Sequence, residues 1–207
     1  MIRPVRNRAG ILAVCGLLFI QSALAADDKG QYGVRGAGLV SCFIFEKERE
    51  LRSQTYHMIA AWMDGYITAR NEYADDTYDT ASFESTELIS ALVSEHCKKH
   101  PETSVFTVVN ALIKQIAENR LRSPSQKTEI AIDDRKVLLY EEAVRRMLEK
   151  LTKDGFYNGE INNIYSPQAQ EAIQAFQKSI GLKPTGFPDQ LTLWRLFNED
   201  RQKSPAP

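Results

Sequence analysis

The sequence predicts an all-α protein of two helical domains, on three observations. Apolar residues recur at three-to-four spacing through most of the chain, as they do on the buried face of a helix. Glycine, proline and serine stand where those stretches start or stop. One polar stretch, "ENRLRSPSQKTE", divides the pattern into a longer first part and a shorter second part. The chain is 43% hydrophobic and 26% charged with no low-complexity tract, the balance of an ordinary globular protein.

Residues 1–25 carry Arg3, Arg6 and Arg8, then the apolar run "GILAVCGLLFI", then Ser22-Ala23-Leu24-Ala25. A basic start, an apolar centre and an A-x-A end predict a secretory signal peptide and a periplasmic mature protein. The apolar run is about a dozen residues against the ~20 of a spanning helix, and no later stretch approaches that length, so no membrane span is expected after cleavage. Val14 before Cys15 argues against a lipoprotein. Without the three arginines of residues 1–25 the formal net charge moves from −1 to −4, which argues against a nucleic-acid groove. Two cysteines are then left, Cys42 and Cys97, and an oxidising compartment favours their pairing over two free thiols.

The first domain is expected over residues 33–121. After the lead "KGQYGVRGAG" a long helix begins near Cys42, with Tyr56, Ile59, Ala60, Met63 and Ile67 on one face. The stretch "NEYADDTYDTASFESTE" holds six acidic side chains and no basic one, which predicts a solvated loop. Leu88, Ile89, Leu92, Val93 and His96 mark a second helix, ended by "KKHP", where basic side chains suit the helix C-terminus. Val105, Val108, Val109, Leu112, Ile113 and Ile116 mark a third. Residues 122–134 then read as a linker.

The second domain is expected over residues 135–199. Leu139, Ala143, Met147 and Leu151 share one helical face, and Gly155 is placed as its left-handed stop. Ser166 before Pro167 reads as an N-cap followed by proline at the first helical position, and the stripe Ala169, Ala172, Ile173, Phe176, Ile180 runs to Gly181. Asp189 caps a last helix carrying Leu191, Leu193, Trp194, Leu196 and Phe197. Three short helices of this size form a small bundle.

The second domain resembles the peptidoglycan-binding domain family found on bacterial cell-wall hydrolases. The resemblance rests on Leu148 and Leu151, Gly155-Phe156-Tyr157, Gly159, Ile164-Tyr165, Ala172, Phe176-Gln177, Gly181-Leu182, Thr185-Gly186, Asp189 and Thr192, over about residues 138–198. It departs at Asn162-Asn163, where the family usually carries Asp-Gly. The resemblance implies peptidoglycan as ligand. A glycan strand with short peptides calls for amide and hydroxyl partners beside an aromatic platform. Tyr157, Asn158, Asn162, Asn163 and Tyr165 supply that mixture in one turn. The competing roles are core plugs for the aromatic rings and turn formation for the two asparagines.

The first domain resembles small periplasmic helical proteins of two kinds, acid-stress chaperones of the HdeA type and the immunity proteins that neutralise secreted cell-wall amidases. Trp62, Gly65, Tyr66 and Asn71, the paired cysteines and "CKKHP" carry it. Both kinds act by binding proteins. His96 and His100 stand one helical turn apart, a spacing that presents two imidazoles to a metal, but His96 on an apolar face reads as a core residue and a disulfide-bonded Cys97 cannot ligate. No metal and no cofactor are expected. The chain has no H-E-x-x-H, no G-x-S-x-G and no Gly-rich phosphate loop, and the adjacent Asp75 and Asp76 fit a charged surface better than a glycosidase pair. The expectation is therefore a non-catalytic periplasmic protein that binds peptidoglycan through one domain and an envelope protein through the other. The alternatives are a targeting or regulatory subunit of a cell-wall hydrolase, and an acid-stress chaperone.

Overall fold

Five serines set the starts of helices in this fold. The computed structural model describes residue 27 and residues 29–202, the last four as backbone only, so the signal-peptide reading of residues 1–25 lies outside the described residues. The elements are α1 (Cys42–Glu50), α2 (Gln54–Tyr73), α3 (Thr86–Cys97), α4 (Val105–Ile116), β1 (Lys127–Ile132), β2 (Arg135–Tyr140), α5 (Glu141–Lys153), α6 (Pro167–Ser179) and α7 (Gln190–Gln202). Ser41, Ser53, Ser85, Ser104 and Ser166 precede α1, α2, α3, α4 and α6. Each hydroxyl accepts a backbone N–H of the first turn, at 3.1 to 3.5 Å, which satisfies a donor the helix itself cannot. No helix among the described residues is long and apolar enough to cross a membrane.

The single long helix expected from Cys42 is two helices. Arg52 takes a left-handed conformation (φ 45°), which ends α1, and Ser53 caps α2. The disulfide expected between Cys42 and Cys97 is present, with 4.8 Å between the Cα atoms, and ties the start of α1 to the end of α3. Around it lie Phe45, Ile59, Met63, Ile89, Val93, Val105, Val109 and Ile113, all essentially buried. Tyr66 stacks on Trp62 and donates its hydroxyl to Asn110 (2.7 Å), and a Cβ at Gly38 would collide with the Trp62 indole. His96 is not a core residue. The buried face of α3 runs through Ile89, Val93 and Cys97, one position away, which leaves His96 exposed and stacked on the exposed His100 at 4.6 Å between ring centroids.

The acidic stretch between α2 and α3 is solvated in its first half, where Asp75 and Asp76 are exposed, but not in its second. Thr80, Ser82, Phe83 and Glu84 are all buried. Asn71 explains how a polar segment is held inside: its amide donates to Asp79 (3.0 Å) and its carbonyl accepts the Thr80 N–H (2.9 Å). The Asp79 carboxylate also accepts the Tyr140 hydroxyl (2.9 Å). Glu84 receives backbone N–H groups, including that of Phe83 at 3.2 Å, but no cation among the described residues, and burial pushes its carboxyl up to about 7. A carboxyl raised in the folded state stabilises fully below its unfolded value near 4.5 and loses that contribution as pH rises through 7. The loss is on the order of 3 kcal/mol. Glu84→Gln is expected to remove this decline, so thermal unfolding of the variant and the parent should converge near pH 4.5 and diverge by pH 8. Parallel stability curves would refute it.

The stretch expected as a linker, residues 122–134, contains β1, which pairs antiparallel with β2 in the register Lys127↔Tyr140 through Ile132↔Arg135. All-α is therefore approximate: a two-stranded ribbon sits between two helical parts. Its inward face alternates Thr128, Ile130, Ile132 with Arg135, Val137, Leu139, the period-2 pattern of a half-buried strand pair. The turn is Asp133-Asp134, with Asp133 at φ 53°, in place of the Asn-Gly or Asp-Gly that announces a hairpin. Leu139, expected on a helix, packs from β2 with Ile130 into the apolar cluster of Val144 and Met147.

Two apolar clusters form and trade side chains. Met147, Leu148, Leu151, Ile173, Phe176, Leu193 and Leu196 make the second core, and Phe83 and Leu88, from the helical part before the ribbon, pack into it. Trp194 of α7 packs against both cores. Gln190 fastens the same junction, accepting the Ser85 N–H (2.7 Å) and donating to the Phe83 carbonyl (2.8 Å). The described residues from Val34 onward form one compact unit. The short segment before it shows an Asx turn, with the Asp27 carboxylate accepting the N–H groups of Lys29 and Gln31.

Candidate functional site

The turn from Asp154 to Ser166 begins with a helix stop. Gly155 takes φ 81°, and the Phe156 N–H returns to the Leu151 carbonyl (2.8 Å), the bonding of a left-handed glycine cap. Phe156 then lies edge-on to Phe176 at 5.6 Å, inside the bundle. Tyr157 is buried and donates its hydroxyl to the Glu160 carbonyl (2.9 Å), so its ring plugs the core and offers no platform to a sugar. A Cβ at Gly159 would collide with Tyr157 and Gln168, so glycine is the residue that lets this loop close over the ring.

Tyr165 is partly buried and donates to the Gly186 carbonyl at 2.5 Å, and burial pushes its phenol well up. Asn162 makes the turn: its side-chain carbonyl accepts the Ile164 N–H (2.9 Å). Asn158 and Asn163 are exposed. Asn158 accepts from Gln168 (2.8 Å), and Asn163 donates to Glu141 (2.6 Å) at the start of α5. Of the five residues expected to bind, the structure thus brings two amides to the surface, uses one amide for the turn and spends both phenols inside.

Two clefts flank this turn and share Glu141 and Asn163 as a common lip. The larger, about 610 Å³, is bounded by residues 121–125, the first turns of α5 and Asn162. There Glu142 bonds Arg145 and Arg146, each at 2.8 Å, and these guanidinium groups hold its carboxyl down at about 2, while Arg145 also pairs with Glu149. A carboxyl depressed in this way stabilises above its unfolded value and loses that contribution as pH falls from about 4.5 toward 2. The smaller, about 410 Å³, runs between β1 and the segment Asn163 to Gln170. Ile164 is well exposed beside it and Ile161 is exposed in the same turn. Sequence reading missed both isoleucines and the β1 wall. Two isoleucines within a polar turn were the available signal, because apolar tips among amides suit the C–H faces of sugars.

The remaining motif residues hold the frame. Gln177 is buried and fully used: its amide donates to Thr185 (3.3 Å), the Phe187 carbonyl (3.0 Å) and Thr192 (3.0 Å), and its carbonyl accepts the Gly186 N–H (2.9 Å). Asp189 caps α7 by accepting the Thr192 N–H at 2.8 Å. Gln177, Thr185, Gly186, Asp189 and Thr192 therefore fix the loop before α7, with Phe176 in the core beside them. Among the described residues no cluster of three or more metal-ligating side chains occurs.

No curated protein and no solved structure matches the chain. The resemblance of the first helical part to chaperones and immunity proteins finds no support, since the family match lies wholly after it. That match begins at Tyr140, where β2 hands over to α5, and takes in the turn, both exposed amides and the Gln177 frame. Residues 140–196 match the family model of a putative peptidoglycan binding domain, and peptidoglycan is the ligand class this part of the chain is similar to binders of.

Proposed function

We propose that the protein is a non-catalytic component of the periplasm that holds peptidoglycan at the Asn158–Tyr165 turn and a protein partner on its first helical part. The observation behind the wall-binding role is the family match over residues 140–196, which includes both exposed amides and the lip that Asn163 shares with Glu141. Asn158 and Asn163 offer hydrogen bonds to acetamido and hydroxyl groups, and Ile161 and Ile164 offer apolar contact to the sugar faces. The protein-binding role is supported by Leu39, Phe43, Leu51 and Met58, four large apolar side chains of the first part that stand well exposed. The periplasmic assignment rests on residues 1–25.

The test uses the full mature chain and purified sacculi. The parent protein is expected to co-sediment, and the double variant Asn158→Ala, Asn163→Ala to bind roughly tenfold more weakly, the effect of removing two exposed hydrogen-bonding groups. Circular dichroism should show the fold retained, since neither amide is buried. A parent protein that stays in the supernatant sinks the reading, and an unweakened double variant moves the site away from this turn.

A further inference from the structure

A third cleft, of about 560 Å³, lies outside the turn just described and almost wholly outside the matched segment. One wall is α2 and the buried acidic stretch; the other is the outward face of the ribbon. The first wall is acidic, with Asp64 and Glu84, and the second is basic, with Lys127 and Lys136. Between them lie aliphatic groups, Ile67 on one side and Leu138 on the other, and Leu138 is 59% exposed although it stands on a strand. A volume of this size is in the range of small-ligand sites.

We propose that this cleft binds a short peptide with free termini, its ammonium group against Glu84 and Asp64, its carboxylate against Lys127 and Lys136, and its side chains on Ile67 and Leu138. The acids of this wall differ in what they have left to give. Asp79 is spent on Asn71, the Ala81 N–H and Tyr140. Asp64 accepts only the Thr86 hydroxyl (2.9 and 3.0 Å) and is otherwise open. Glu84 is 8% exposed and no cationic side chain among the described residues pairs with it. A buried carboxyl without a counter-charge is costly by itself, and an incoming ammonium group removes that cost. On the opposite wall the lysines keep donors in reserve: Lys127 lies over the Tyr140 ring at 4.5 Å, and Lys136 makes an exposed pair with Glu129 at 3.0 Å, a contact of small net value. Opposite charges across an apolar floor fit a zwitterion and disfavour a neutral sugar or a polyanion.

The proposal does not depend on wall binding by the Asn158–Tyr165 turn. Calorimetry on the full mature chain uses the tripeptide Ala-Leu-Ala in three forms, with free termini, N-acetylated and C-amidated. The free form is expected to bind, and each block to weaken binding about tenfold or more, the effect of losing one charge-assisted contact. The double change Asp64→Asn, Glu84→Gln should abolish the difference between the free and N-acetylated forms. The double change Lys127→Met, Lys136→Met should abolish the difference between the free and amidated forms. A further arm with a D-residue at the second position separates the sources: tighter binding of that form indicates stem peptides of the wall, and tighter binding of the all-L form indicates peptides of protein origin. No binding of the free form, or equal binding of free and blocked forms, overturns the proposal.

Discussion

Phe83→Ala is expected to destabilise the protein by about 3–5 kcal/mol, the range for deleting a buried aromatic ring from a core. Phe83 belongs by sequence to the stretch between α2 and α3, yet its ring packs in the core of the other helical part, with Phe197 at 5.0 Å between centroids. The hole cannot close easily, because Gln190 holds the Phe83 carbonyl and the Ser85 N–H from the far side. The loss should therefore be felt across the junction. Urea unfolding followed separately by Trp62 and by Trp194 fluorescence, in single-tryptophan variants, should show both midpoints falling together. A loss under about 1 kcal/mol, or a shift at Trp194 alone, would show that the ring does not couple the two parts.

Removing the disulfide should have an effect of similar size. Cys42 and Cys97 close a loop with a sequence separation of 55, and releasing it restores chain entropy to the unfolded state worth about 4 kcal/mol. Both sulfurs lie in the core, so the paired change Cys42→Ser, Cys97→Ser adds the cost of burying two hydroxyls. The expected fall in Tm is about 8–16 °C for a protein of this size. Reducing agent should produce most of that fall in the parent protein and none in the variant. Insensitivity of the parent to reductant throughout unfolding would refute the role assigned to the bridge.

The helices were legible because their signals are local. Ser85, Ser104 and Ser166 each precede an apolar stripe, and Gly155 and Gly181 follow one; all five act as caps or stops, with both glycines at positive φ. What escaped was the part decided at long range. The acidic stretch looks solvated by composition, and nothing within it announces that Asn71, eight residues before Asp79, will pair with it and draw Phe83 inward. The ribbon escaped because Asp133-Asp134 is a weak turn signal and because "VLLY" runs on into a strong helical stripe. The candidate turn was half legible. Residue types identified the ligand chemistry, but exposure depends on what lies beneath, and Tyr157 and Tyr165 find carbonyls at Glu160 and Gly186 that only the folded chain supplies.

The ribbon has one more consequence. It is a single pair of strands thick, and β2 passes at Tyr140 directly into α5 with no intervening residue. Its outward face bounds the cleft of Glu84, and β1 bounds the cleft beside Asn163. It thus forms a side of two chambers at once. Glu141, the first residue of α5, lies on the second cleft and follows the ribbon without a spacer, so a shift of the ribbon would reach both clefts. If a guest in one cleft shifts the ribbon, linkage requires that a guest in the other feel the same coupling in return.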